Sequence, residues 1–222
     1  MAIRIAPSIL AADFLELGKQ IKDVSKTADI IHFDVMDGSF VPNISFGFPV
    51  LDAVKKIATL PVDTHLMIVH PEKYFERCAA SGVNMLSFHL EAALEEGNDP
   101  AEFLGRIRSL GMKAGLAFNP DFPIEKVFPY LDKADYVLAM SVFAGFGGQH
   151  IEDSVYDRVR ALKKEIAGRN SKCLVEIDGG VTRDNIAAIA AAGVDIVVAG
   201  SAVFKADDCA AEVQVLREIA RG

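Results

Sequence analysis

One repeating feature organises the sequence: short runs of apolar, β-branched residues alternate with longer amphipathic stretches from one end to the other. A run of four to eight apolar residues reads as a buried strand, and a stretch with apolar residues at helical spacing reads as a helix packed on it. Strands that are apolar on both faces and alternate with helices belong to a parallel sheet with crossover connections. Eight strands are expected, at Ile3–Ser8, Ile30–Asp34, Val62–Met67, Met85–His89, Lys113–Phe118, Tyr136–Ser141, Cys173–Asp178 and Ile196–Ala199. Each is followed by a helical pattern, such as Asp13–Ser25, Val50–Ala58, Pro71–Ser81 or Asp184–Ala192. Gly82, Gly111 and Gly193 fall just after helical runs, where a left-handed residue ends a helix.

Eight parallel strands form either an open doubly wound sheet or a closed barrel, and periodicity does not separate the two. Strand count and the length of 222 residues favour a single (β/α)8 barrel. An open nucleotide-binding sheet would also place a G-x-G-x-x-G turn after the first strand, where this chain has Pro7-Ser8-Ile9-Leu10. Without a linker or low-complexity segment, residues 1–222 are read as one barrel domain.

Charge and composition narrow the partners. The 31 acidic and 23 basic side chains leave a net charge of -8, which repels nucleic acid at long range. A small phosphorylated ligand is not excluded, because backbone N–H groups hold phosphate against the net field. Cys78, Cys173 and Cys209 form no Cys-x-x-Cys pair and read as reduced, packed thiols of a cytoplasmic protein. The apolar run Met1–Leu10 is too short for a secretory core, and no segment approaches the ~20 apolar residues of a membrane span.

In a closed barrel the carboxyl ends of the strands meet around one mouth, where the chemistry of this architecture sits. Those ends are Ser8, His32 with Asp34, His65 with Met67, His89, Asn119, Ser141, Asp178, and Gly200 with Ser201. His32 and Asp34 share a face because strand side chains alternate with period two. Two imidazoles and two carboxylates around one opening suit a divalent ion such as Zn, Fe, Mn or Co. Each residue alone also fits a satisfied core histidine or a helix-capping aspartate, but several buried charges together need pairing or metal. Glycines cluster after the sixth, seventh and eighth strands, as Gly145, Gly147 and Gly148, then Gly179 and Gly180, then Gly200 beside Ser201. Loops after the seventh and eighth strands frequently bind phosphate in such barrels, and three successive glycine clusters at one mouth point to a phosphate site.

Five stretches, Ala6-Pro7-Ser8-Ile9-Leu10, Ile31-His32-Phe33-Asp34-Val35-Met36-Asp37-Gly38, His65-Leu66-Met67, Gly145-Phe146-Gly147-Gly148-Gln149 and Ile177-Asp178-Gly179-Gly180-Val181, closely resemble the ribulose-phosphate 3-epimerase family, in order along the chain. The resemblance implies a ribulose-phosphate-binding barrel and a homo-oligomer. It also implies one divalent metal ion held by His32, Asp34, His65 and Asp178, with Asp34 and Asp178 acting as acid and base. The implied reaction is epimerisation at C3 of a ketose phosphate, D-ribulose 5-phosphate to D-xylulose 5-phosphate, through an enediolate. Ser8, His65, Met36, Met67, Met140 and Phe146, with the glycines and Ser201, are the implied substrate-binding residues. One departure concerns substrate identity: the family usually carries Asn-Pro before Gly-Phe-Gly-Gly, and this chain has Phe143-Ala144. D-Allulose 6-phosphate is therefore kept as the alternative substrate.

Two other classes lack their signatures or their proof. A Schiff-base aldolase needs a lysine at the mouth, yet Lys113 and Lys172 lie near strand starts. The related decarboxylases carry Asp-x-Lys-x-x-Asp, and Asp34-Val35-Met36-Asp37 has no lysine. A non-catalytic phosphosugar-binding module is the remaining alternative, since fold alone does not establish activity. His89 and Asn119 stand at the mouth without an assigned role, and Gln149 either closes the sixth loop or points to solvent.

Overall fold

A computed structural model of the protein describes residues 3–222; Met1 and Ala2, within the N-terminal run noted above, lie outside the described residues. The strands are β1 (Arg4–Pro7), β2 (Ile31–Met36), β3 (Val62–Met67), β4 (Met85–His89), β5 (Lys113–Phe118), β6 (Tyr136–Met140), β7 (Leu174–Asp178) and β8 (Ile196–Ala199). All neighbours pair in parallel, in the order β1-β8-β7-β6-β5-β4-β3-β2. The seam between β1 and β2 is drawn together by a parallel bridge at Ser8 and His32. A backbone bond of 3.0 Å from Asp29 N to Ile5 O and the Asp29 carboxylate on Ile5 N at 2.8 Å reinforce it. The expected barrel is the observed one, with β3, β4, β5 and β8 at their expected limits and the other strands shifted by one or two residues.

The helices are α1 (Leu17–Val24), α2 (Phe48–Ile57), α3 (Phe75–Ala80), α4 (Leu90–Glu95), α5 (Pro100–Ser109), α6 (Ser154–Gly168), α7 (Ile186–Ala192), α8 (Ser201–Phe204) and α9 (Cys209–Arg221). Their apolar stripes pack on the outer face of the strands, where Phe33, Leu86, Phe88, Leu116, Val175 and Ile177 are fully buried. Gly82, Gly111 and Gly193 have φ of 79°, 85° and 103°, as expected of residues that end helices. Among the described residues no helix is long and apolar enough to cross a membrane.

Three connections differ from expectation. The segment after β5 contains only 3-10 turns at Ile124–Lys126 and Phe128–Tyr130. Pro120, Pro123 and Pro129 remove the amide donors and restrict the preceding residues, so an α-helix does not propagate. Pro71–Ser81 divides into a 3-10 turn at Pro71–Lys73 and α3. Asp13–Ser25 begins as a helix only at Leu17, because the Asp13 side chain accepts from Leu15 N at 2.9 Å and shapes a turn instead. The three cysteines are free, and burial pushes the Cys78 and Cys173 thiols up to about 12. Cys209 is only half-buried.

Candidate active site

The inward-facing positions of the strands change character along the barrel. Below the mouth Ile30, Met85 and Ile196 pack with the ring of Tyr136 in an apolar cluster that Ala6 and Val198 continue upward. Beside it lie Asp63, Glu176 and Ser87, all fully buried, and then the mouth. Period two explains this layering: Asp63 precedes His65 by two residues, Glu176 precedes Asp178, and Ser87 precedes His89.

At the mouth His32, Asp34, His65 and Asp178 converge, each offering one ligand atom within 4.8 Å of the others. Asp34 Oδ1 is 3.2 Å from His32 Nε2 and 3.3 Å from His65 Nδ1. Asp178 Oδ2 is 3.8 Å from each of the same two nitrogens. The other Asp34 oxygen accepts from Ser8 Oγ at 2.5 Å, which turns Oδ1 toward the imidazoles. Burial raises the Asp34 carboxyl, but the His32 and His65 imidazoles outweigh it and hold the group well below the usual carboxylate range. Burial conversely lowers His32, yet Asp34 and Asp63 raise it well above the ordinary imidazole value; His65 is raised by Asp178 and Asp34 against the same penalty.

The cluster fits a divalent ion. His32 Nε2, His65 Nδ1 and Asp34 Oδ1 are buried and make no hydrogen bond, although all three face one point. Buried polar atoms are almost always satisfied, and an ion is one of the few partners that satisfies several together. Ligand atoms about 2.0–2.2 Å from a tetrahedral ion stand roughly 3.3–3.6 Å apart, close to the spacings of 3.2–3.8 Å here. The cluster supplies nitrogen and oxygen donors and no sulfur, a set shared by Zn, Fe, Mn and Co.

Next to the cluster opens a cavity of about 370 Å³. Ser8, Asp34, Met36, Met67, Met140 and Asp178 line its inner part, and Gly145, Phe146, Gly147, Gly148, Gly179, Gly180, Gly200 and Ser201 line its rim. The expected site residues are thus brought together; His32 and His65 stand behind the wall, in the ligand cluster. The loop Phe143–Gly148 is braced from three sides. Gln149 Nε2 donates to Phe143 O and Phe146 O at 2.8 Å each, Asn43 Nδ2 to Gly145 O at 2.8 Å, and Ala144 N to Asn119 Oδ1 at 3.1 Å. Gln149 therefore closes the loop, and Asn119 anchors it. Gly179 and Gly180, at φ of 114° and 64°, let the seventh loop press on the sixth: a Cβ at Gly180 would stand 2.7 Å from Ile151 N.

His89 also has a place. Its Nε2 is 2.9 Å from His65 Nε2, and its Nδ1 is 3.4 Å from Glu91 Oε2. Burial lowers His89, whose ring makes its hydrogen bond to His65, while Nδ1 faces the Glu91 carboxylate without one. Sequence reasoning missed Asp63, Glu176, Tyr136, Asn43 and Lys205. The first two carry a signal, since each lies one inward step below a recognised mouth residue. Lys205, which brings a cation to the cavity rim, and Asn43 sit on loops where no periodicity marks them.

A parallel eight-stranded barrel with paired carboxylates at its mouth defines the class as a (β/α)8-barrel enzyme. Solved structures agree on the fold: KGPDC from Streptococcus mutans is similar with a TM-score of 0.75, at 11% identity, over 100% of this chain and 98% of that one. The 3-hexulose-6-phosphate synthase from Salmonella typhimurium is similar with a TM-score of 0.65, at 16% identity, over 99% of each. The sequence profile of the ribulose-phosphate 3 epimerase family matches residues 4–204, and the chain belongs to that family. The chain is 43% identical to ribulose-phosphate 3-epimerase of Aquifex aeolicus over 216 residues, covering 97% of this chain and 96% of the relative. It is 42% identical to that of Bacillus subtilis over 208 residues, covering 93% and 94%.

Proposed function

We propose that the protein is a metal-dependent ribulose-phosphate 3-epimerase that interconverts D-ribulose 5-phosphate and D-xylulose 5-phosphate. The observation that carries this reading is the convergence of His32, Asp34, His65 and Asp178, three of whose inward atoms are buried without a hydrogen bond. It is supported by the family and by relatives that bear the activity in their names.

Inverting C3 of a 2-ketose phosphate requires a proton to leave one face of the sugar and another to arrive on the opposite face. Asp34 and Asp178 serve as the two groups. One takes the C3 proton, leaving an enediolate, and the other returns a proton from its own side; the roles exchange in the reverse direction. Ser8 donates to Asp34 Oδ2 and so fixes the orientation of that carboxylate at the mouth. His32, Asp34, His65 and Asp178 would hold one divalent ion, Zn, Fe, Mn or Co. When bound, that ion supplies Lewis-acid stabilisation of the charge on the C2 and C3 oxygens. Met36, Met67 and Met140 cover the reacting end with apolar sulfur and keep water from it. The phosphate is received by backbone N–H groups of the glycine loops, with Lys205 at the rim. The same reading takes residues 1–222 as one catalytic domain working on a small phosphorylated sugar in the cytoplasm.

D-Allulose 6-phosphate is the second reading, favoured by one observation: Phe143 lines the cavity, half-exposed, where the family usually has an amide. Purified, metal-loaded protein is assayed on both epimer pairs. Higher kcat/KM on the pentulose pair supports the first reading; negligible pentulose turnover beside good hexulose turnover reverses the order.

A further inference from the structure

His32 has two ring nitrogens with different surroundings. Nε2 faces the ligand cluster, whereas Nδ1 points down into the barrel, 3.0 Å from Asp63 Oδ2. The second oxygen of Asp63 accepts from the Tyr136 hydroxyl at 2.6 Å. His32 and Asp63 are 0% exposed and Tyr136 is 1% exposed, so bulk water does not compete for these bonds. Tyr136 reaches Asp63 from β6, and β5 makes room for its ring: a Cβ at Gly115 would stand 2.2 Å from Tyr136 Cζ. Residues of β3, β5 and β6 thus combine to hold one carboxylate beneath one imidazole of β2. Glu176 Oε1, at 3.7 Å from the same nitrogen, is beyond hydrogen-bond distance, which leaves Asp63 as the partner.

A neutral imidazole carries one proton and one lone pair on its two nitrogens. Nε2 is a ligand only when the proton resides on Nδ1, and a carboxylate, able only to accept, selects that tautomer. We propose that Asp63, braced by Tyr136, is a positioning residue that fixes the His32 tautomer and so presents the Nε2 lone pair to the cation. The proposal rests on reading His32 as a metal ligand. Asp63 does not line the cavity, so it acts on the reaction only through His32.

The test is Asp63→Asn. The Tyr136 hydroxyl continues to donate to the one remaining oxygen, which turns the amide NH2 toward His32; there it donates to Nδ1 and drives the ring proton to Nε2. Affinity for Co2+, followed by its visible absorption on titration, is expected to fall about 10- to 100-fold, with circular dichroism and cooperative unfolding retained. Tyr136→Phe, which keeps the carboxylate but frees it to turn, is expected to lose less. A measurement on the parent needs no variant: in the Zn2+-loaded protein, 1H–15N spectra should show a slowly exchanging His32 Nδ1–H with the shift of a proton bonded to a carboxylate. Absence of that proton overturns the proposal. Co2+ affinity in Asp63→Asn within about twofold of the parent also overturns it, and does so alone. A parent that binds no Co2+ overturns the metal reading along with it.

Discussion

Replacing Gly179 by alanine probes how the seventh loop is fitted against the sixth. Gly179 has φ of 114°, and a Cβ built there falls 2.3 Å from Val142 Cγ2 and 3.0 Å from Cγ1. Val142 is 4% exposed, so its methyl groups have little space into which to turn. Two separable costs follow. The backbone conformation costs a non-glycine residue about 1–3 kcal/mol, and the extra methyl in a packed region costs about 1–3 kcal/mol more. Urea unfolding of Gly179→Ala should therefore show a loss of about 2–6 kcal/mol, which a domain of ordinary stability, about 5–15 kcal/mol, mostly survives. Val142→Ala removes both methyls and leaves the backbone cost untouched. In that background Gly179→Ala should cost only about 1–3 kcal/mol, the difference being the coupling between the two sites. Both residues line the cavity, so KM for the sugar phosphate should rise in the single variant and partly recover in the double. A single variant within about 0.5 kcal/mol of the parent, or the same penalty in both backgrounds, would refute this reasoning.

Asp34→Asn and Asp178→Asn should each lower kcat for epimerisation by about 100- to 10,000-fold, or roughly 3–5 kcal/mol of barrier, while leaving a folded barrel by circular dichroism; substantial turnover in either would show the wrong base was chosen. Metal affinity should depend on pH with a definite sign. His32 and His65 are raised in the ion-free protein because their carboxylate neighbours outweigh burial, and a cation needs their bare lone pairs, so binding releases protons. Co2+ affinity should therefore weaken as pH falls and still be climbing above 6.5, the ordinary imidazole value. Titrations that give a flat affinity from there to about pH 8 would contradict the proton competition.

The architecture was legible because the strands of a parallel barrel are largely apolar and each has a polar residue within two positions of its carboxyl end. His32, Asp34, His65 and Asp178 stand out at those ends, and the structure gathers them into one cluster. Asp63 and Glu176 were hidden inside strand runs, where one polar residue reads as a flaw in the apolar pattern. Counting two residues back from His65 and Asp178 would have exposed them as inward-facing. The fifth connection reads as helical when its apolar spacing is followed without the veto of Pro123 and Pro129, and the structure restores that veto. The bracing of the sixth loop by Asn43 and Asn119 depends on contacts between residues distant in sequence, which no local pattern encodes, whereas Gln149 closes it from within the same segment.

The account turns on two carboxylates exchanging protons with opposite faces of the sugar, and isotope incorporation reads that exchange directly. The metal-loaded protein is given D-ribulose 5-phosphate in deuterated water, and C3 of both epimers is followed by NMR from the first turnover. The account predicts that newly formed D-xylulose 5-phosphate carries solvent deuterium at C3. Product that keeps its original C3 hydrogen, or a bound sugar that neither exchanges nor converts, would contradict it.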